Sequence, residues 1–271
     1  MPTPSPATTV ESLGGLDVAF VAAGAENAKR VVFIHGLGQD HRIWELVQSQ
    51  FPLLTTYAYD IRGHGGSSLG EADGTVAQLG ADLIAFLEHF GPATCVGFSL
   101  GGVIALWAAA ERSDLVEGVI AVATSSVVGK AAASAMQERI ELFTGADIER
   151  IHELLLADTR SQLGNPAIDP EQIAKSRASA VANPAGYING ARAVCSMRDV
   201  SVNDRLGDIT APVLIVSGEL DAWCPRRAAE IMMEQLPQAT FIELPRVGHL
   251  VTDDDPQLLC TVIRDWLETK E

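Results

Sequence analysis

The segment Gly97-Phe98-Ser99-Leu100-Gly101-Gly102 puts a serine where an apolar strand, residues 94–98, hands over to a helix that begins Val103-Ile104-Ala105-Leu106. A G-x-S-x-G pattern in this strand–turn–helix setting holds a serine hydroxyl on a sharp, strained turn, where it is presented as a nucleophile. The flanking positions must be glycine, because a β-carbon there would collide with the neighbouring strand and helix. The helix N-terminus behind the serine adds a positive dipole where an oxyanion would form.

A serine hydroxyl attacks poorly without a base, and six histidines are available. His249, in Arg246-Val247-Gly248-His249-Leu250, lies between the last strand and the last helix, on a loop at the C-terminal edge of the sheet. It is the expected base. His89 and His152 fall in helical stretches and read as surface or packing residues, and His41 falls near the start of the helix after the first parallel strand. His35 and His64 occupy loops at the correct edge but precede Ser99, whereas a serine presented this way is followed in the chain by its acid and then its histidine. The acid must orient the imidazole and stabilise it when protonated. Asp221, in Ser217-Gly218-Glu219-Leu220-Asp221, is preferred, with Glu219 as its rival; the stretch Thr124-Ser125-Ser126 after the preceding strand offers no carboxylate. The oxyanion needs two backbone N–H donors. Leu100 supplies one, and Leu37, in the loop His35-Gly36-Leu37-Gly38, supplies the other.

The elements that must carry these residues are legible as alternating patterns. Residues 10–23 read as a β-hairpin broken at Gly14-Gly15. Continuous apolar runs at 31–34, 57–60, 94–98, 116–124, 212–218 and 240–244 suit strands covered on both faces. Val76, Leu79, Leu83, Ile84, Leu87 and Phe90 recur at helical spacing behind a Thr75-x-x-Gln78 capping signal. The last helix opens at Asp255-Pro256 and carries Leu259, Val262, Ile263, Trp266 and Leu267 on one stripe. The alternation predicts an α/β fold with a doubly wound, mostly parallel sheet. Between residues 125 and 212 no strand is evident, and 129–144, 147–157, 170–182 and 184–197 look helical. The expected organisation is therefore a core of 10–125 and 206–271, an inserted helical cap of 126–205, and a flexible Pro/Ser/Thr-rich tail of 1–9.

Composition narrows the partners. The chain has 271 residues, 47% of them hydrophobic, with 19 basic against 35 acidic side chains, a net charge of −16. Such acidity opposes nucleic-acid binding, and no apolar run reaches the ~18 residues of a membrane span. The expected cap holds 9 basic and 10 acidic residues, so the acidity belongs to the core and does not argue against a small anionic substrate, which would meet a nearly neutral cap. The start, MPTPSPATT, lacks the basic and apolar regions of a signal peptide. Cys95, Cys195, Cys224 and Cys260 form no CxxC pair and read as free thiols of a cytoplasmic protein. No Cys/His cluster, HExxH or GxGxxG indicates a metal or a dinucleotide, so no cofactor is expected.

Together these residues resemble the α/β-hydrolase superfamily over nearly the whole chain, from about residue 31 to 267. Asp60-Ile61-Arg62-Gly63-His64-Gly65-Gly66-Ser67 looks like that family's D-x-R-G-H-G-x-S loop, a structural element, so Asp60, Arg62 and His64 are given no catalytic role. Ser99 departs from the aspartate nucleophile of haloalkane dehalogenases and epoxide hydrolases. His35-Gly36-Leu37-Gly38-Gln39-Asp40 departs from the H-G-x-G-P-G of carbon–carbon bond hydrolases. The layout is most similar to 3-oxoadipate enol-lactonases and small bacterial esterases. The resemblance implies a cofactor-free hydrolase of a small ester or lactone. An amide or carbon–carbon bond hydrolase, a cofactor-free oxygenase and a ligand-binding member of the same fold are the alternatives. Trp44 and Trp223 are expected to line the pocket, and Arg139, Arg192 and Arg198 are the candidates for a substrate carboxylate.

Overall fold

The apolar runs fold as strands, and alternate residues along each strand sort to opposite sides of one sheet, as seen in a computed structural model that describes residues 7–269. The strands are β1 (Thr9–Leu13), β2 (Leu16–Gly24), β3 (Arg30–Ile34), β4 (Thr55–Tyr59), β5 (Ala93–Phe98), β6 (Val116–Val122), β7 (Val213–Gly218) and β8 (Thr240–Leu244). They are ordered β1-β2-β4-β3-β5-β6-β7-β8. β1 and β2 form an antiparallel hairpin, β2 pairs antiparallel with β4, and the remaining strands run parallel.

The helices are α1 (Glu45–Ser49), α2 (Val76–Phe90), α3 (Leu100–Glu111), α4 (Lys130–Phe143), α5 (Ile148–Gln162), α6 (Pro170–Ala180), α7 (Pro184–Ser196), α8 (Arg226–Gln235), α9 (Val251–Asp254) and α10 (Pro256–Glu268). Their starts follow from local chemistry. Thr75 Oγ1 accepts the Gln78 N–H, while Asp169, Asn183 and Asp255 cap α6, α7 and α10 ahead of a proline at the first turn, which lacks an N–H to satisfy.

Val32, Ile34, Cys95, Val119, Ala121, Val213 and Ile215 pack against α2, α3 and α8 on one face. Val31, Phe33, Val96, Phe98, Ile120, Val122, Leu214 and Val216 pack against α1 and α10 on the other. Burial on both faces is why these runs are apolar without polar alternation. Trp44 corrects an expectation. It is fully buried in the second layer, its ring 5.1 Å from Phe33, and so packs the core instead of lining a pocket. Its place after the oxyanion loop in sequence does not fix which side of the sheet its helix covers.

Four helices, α4 to α7, lie between β6 and β7 and bury an apolar cluster of their own, including Phe143, Ile151, Leu155, Val181 and Tyr187. α5 runs five residues past the 157 expected for it, to Gln162. Of the tail expected at 1–9, residues 1–6 lie outside the described residues, and Thr9 is already paired in β1 with Phe20. No helix among the described residues is long and apolar enough to cross a membrane.

The order β4-β3-β5 means that the chain leaves β3 on one side and returns to pair on its other side. A crevice opens outside the carboxyl ends of strands at such a switch point, where open α/β sheets place their ligands. The loops after β3 and β5 carry Leu37 and Ser99.

Candidate active site

Ser99 occupies the turn between β5 and α3 with φ 52° and ψ −115°, a left-handed conformation that a side chain adopts only under strain. Its surroundings over-determine that geometry. The Ser99 N–H donates to the Val122 carbonyl at 2.9 Å, and its own carbonyl accepts the Thr124 hydroxyl at 2.6 Å and the Gly102 N–H at 3.0 Å. A β-carbon at Gly97 would overlap the Gly101 carbonyl, and one at Gly101 would overlap the Ile34 carbonyl at the end of β3. The glycines thus let β5, α3 and β3 meet at one point.

His249 faces this serine. Its Nε2 lies 3.2 Å from Ser99 Oγ and its Nδ1 2.9 Å from Asp221 Oδ2. A carboxylate only accepts, so the imidazole proton sits on Nδ1 and Nε2 is free to take the serine proton. Asp221 Oδ1 accepts the N–H groups of Trp223 and Cys224, each at 2.8 Å, which leaves Oδ2 for the histidine. Both residues of this pair are 4% exposed. The imidazole lies between Phe98, at 5.2 Å, and Trp223, at 6.0 Å and 25° from parallel. Glu219, the rival acid, instead accepts the Arg246 N–H and holds the turn before the histidine.

The loop after β3 is held peptide by peptide. Gly36 N–H donates to Gln39 Oε1, His35 Nδ1 donates to the Gly36 carbonyl, and Gly38 N–H donates to His64 Nε2. His64 Nδ1 in turn donates to the Arg62 carbonyl, and His35 Nε2 accepts the Ile61 N–H. Burial, then the neighbouring His35, pushes the His64 pKa down to about 3, and burial lowers that of His35 too. Both rings therefore stay neutral, with one fixed tautomer. The N–H groups of Leu37 and Leu100 donate to no protein acceptor among the described residues. The two leucine side chains converge on Gly190 of α7, where a β-carbon would fall 2.7 Å from Leu37 Cδ1 and 3.3 Å from Leu100 Cδ2.

The remaining expected residues are placed as follows. Trp223 is 43% exposed, face-on to His249. Arg139 bonds Asp158 and the Leu154 carbonyl within the four-helix segment, Arg192 is exposed and packs its stem over Gly74, and Arg198 is exposed and donates to the Val128 carbonyl. None of the three bonds Ser99, His249, Asp221 or the Leu37 loop among the described residues. His41 pairs with Asp60, His89 with Glu11 and His152 with Glu171. Two groups of metal-ligand type occur among the described residues, Asp221/Cys224/His249 and Asp40/His41/Asp60. In both, the carboxylates already accept protein N–H donors, those of His41 and Gly66 in the case of Asp60. Two residues at the site escaped the sequence reading: Arg177, whose Nε faces the Gly38 carbonyl at 3.4 Å, and Gln162, whose carbonyl accepts the His249 N–H at 2.7 Å. The available signal was an arginine in the apolar stripe that Ala174 and Ala178 of α6 form with Val181 just beyond its end.

The fold and this edge-of-sheet constellation define a class, and the chain belongs to the alpha/beta hydrolase family, whose model matches residues 31–262. Within it, the chain is 27% identical over 257 residues to 3-oxoadipate enol-lactonase 1 of Acinetobacter baylyi, covering 91% of each chain. It is 24% identical over 255 residues to the pimeloyl-[acyl-carrier protein] methyl ester esterase of Serratia marcescens, covering 89% of this chain and 95% of that protein. The crystal structure of the enol-lactonase from Burkholderia xenovorans superimposes with a TM-score of 0.85 at 19% identity, over 96% of this chain and 100% of that one.

Proposed function

We propose that this protein is a serine hydrolase that cleaves a small ester or lactone through an acyl-enzyme, with Ser99 as nucleophile, His249 as general base and acid, and Asp221 as the acid that orients the imidazole. The observation that carries the reading is the continuous chain Ser99 Oγ, His249 Nε2, His249 Nδ1, Asp221 Oδ2, at 3.2 and 2.9 Å. The similarity to an enol-lactonase and to a methyl ester esterase supports ester chemistry.

In this mechanism Oγ attacks the carbonyl carbon as its proton passes to Nε2, and Asp221 stabilises the imidazolium. The carbonyl oxygen, now negative, receives the Leu37 and Leu100 N–H groups and faces the α3 N-terminus. Collapse expels the alcohol, which takes the proton from Nε2. For a lactone the alcohol stays attached, because ring opening leaves it at the far end of the acyl group. Water then repeats the sequence at the acyl carbon and releases the acid. We assign residues 126–205 as a helical cap over this crevice, with Trp223 at its rim.

The test is a panel of esters, lactones and amides assayed with wild type and Ser99→Ala. Turnover of esters and lactones by wild type, lost by at least ~10³-fold in the folded variant, is expected. Wild-type turnover retained by Ser99→Ala would overturn the assignment.

A further inference from the structure

Burying a guanidinium is costly unless its donors are satisfied, and a methionine of similar length would fill the same space without that desolvation. Arg177, on α6, is only 5% exposed. What an apolar side chain could not do is visible in its bonds. Nη1 donates to Gln162 Oε1 at 2.6 Å and to Thr159 Oγ1 at 3.0 Å, both on α5, while Nε faces the Gly38 carbonyl at 3.4 Å. The planar fork of arginine reaches these acceptors at once, which a lysine's single ammonium does not reproduce.

Two of these acceptors, Gln162 and Gly38, lead to the reacting groups. Gln162 is the last residue of α5, and its backbone carbonyl accepts the N–H of His249 at 2.7 Å and of Leu250 at 3.3 Å. Residues 164 and 165 continue the attachment. Gly164 and Asn165 donate N–H groups to the Asp254 carboxylate, which also takes the Gly248 N–H at 2.7 Å. Gly164 lies so close to Gly248 that a β-carbon on it would fall 2.5 Å from the Gly248 nitrogen. On the other side, Gly38 is held through its N–H by His64 and through its carbonyl by Arg177, so the residue that follows Leu37 has both of its backbone polar groups bonded.

We infer that Arg177 is a positioning residue that holds the Leu37 loop and the His249 loop in mutual register through the helical cap; the inference rests on the ester-hydrolase reading above. The cap in this protein thus sets the geometry of the general base and of one oxyanion donor, in addition to covering the crevice. Arg177 touches no reacting atom and acts through Gln162 and Gly38.

The experiment compares wild type, Arg177→Met, Arg177→Lys, Gln162→Met and Ser99→Ala on p-nitrophenyl acetate and on whichever ester or lactone the panel identifies, with Tm measured for each. Misplacing a reacting group by about 1 Å costs about 10²-fold in rate. Arg177→Met is therefore expected to lose about 10–100-fold in kcat with KM within about 3-fold, while its Tm stays above the assay temperature. Arg177→Lys is expected to recover only part of the loss. Gln162→Met keeps the backbone carbonyl that holds His249 but removes the side-chain acceptor, and is expected to lose about 5–10-fold in kcat. It also serves if Arg177→Met does not fold. The combined variant Arg177→Met/Gln162→Met, assayed alongside them, is expected to be no worse than Arg177→Met, since both substitutions cut one linkage. Full kcat in a folded Arg177→Met or in Gln162→Met overturns the inference, and so does a loss confined to KM. Wild-type turnover by Ser99→Ala indicts the hydrolase reading instead, so the two failures are told apart.

Discussion

His64 Nε2 accepts the Gly38 N–H at 3.2 Å, so a buried neutral imidazole anchors the loop that carries Leu37. Protonating that nitrogen would set two donors against each other, which is why burial and the hydrogen bond act in the same direction. The folded-state pKa of His64, about 3, lies far below the ordinary value of 6.5, and that of His35 is lowered as well. Groups with depressed values contribute stability that is present above the unfolded pKa and is lost as pH falls towards the folded one. His41, where burial is outweighed only by the Asp60 hydrogen bond and the charges of Asp60 and Asp40 together, is raised and has the opposite sign. Tm is expected to decline once pH drops below about 6.5, with each lowered histidine contributing up to about 1.4 kcal/mol per pH unit. His64→Gln, which cannot titrate, should flatten the decline. Parallel slopes between pH 4.5 and 6.5 for variant and wild type would show that His64 does not drive it.

The glycine at position 101 is expected to admit no side chain. A β-carbon there overlaps the Ile34 carbonyl, which is backbone and cannot rotate away. Gly101→Ala should cost on the order of 3 kcal/mol or more, read by urea denaturation. Gly207→Ala is the control: a β-carbon at Gly207 meets nothing within 4 Å, and its φ is not in the left-handed region. An equal effect at both positions would contradict the steric account.

Asp221→Asn is expected to lower kcat on the order of 10³–10⁴-fold with little change in Tm. The Trp223 and Cys224 N–H groups claim the amide oxygen, so the amide nitrogen faces His249 Nδ1 and forces the proton onto Nε2. That tautomer cannot accept the serine proton. Glu219→Gln, whose parent carboxylate serves the Arg246 N–H, should keep near wild-type kcat. Steady-state kinetics that rank the two acids the other way would transfer the role to Glu219.

Trp44→Phe is expected to act on stability alone. The ring fills the layer between β3 and α1, and trimming it should cost about 1–3 kcal/mol while KM for any ester stays unchanged. Trp223→Ala should show the converse, a changed kcat/KM with a small shift in Tm, because that ring is exposed beside His249. A KM change in Trp44→Phe, measured on folded protein, would return Trp44 to the pocket.

The strands and the nucleophile turn were legible because the forces that make them are local or nearly so. A run such as Val31-Val32-Phe33-Ile34 is apolar because it is covered twice, and Gly97-x-Ser99-x-Gly101 is spaced by a turn only a few residues long. The order of Ser99, Asp221 and His249 along the chain was equally readable, since each follows a strand at the same sheet edge. The arginines were not. A charged residue on a helix looks solvated from sequence, and which helix face meets the core depends on packing angles that no local pattern encodes. Arg139, Arg192 and Arg198 therefore look no different in sequence from Arg177, and only the buried stripe of Ala174 and Ala178 distinguishes the last.

What the sequence determined by itself is the fold class and the short turn that strains Ser99, because residue type and short-range spacing dictate them. Tertiary structure alone decided that Asp221 and not Glu219 faces His249, that Trp44 belongs to the core, and that Gln162 and Arg177, far from the triad in sequence, secure the histidine and the Leu37 loop. The physical reason is that hydrogen-bond partners are chosen by distance in space. Here two glycines, Gly164 and Gly248, let the end of α5 approach the His249 loop closely enough for those bonds to form.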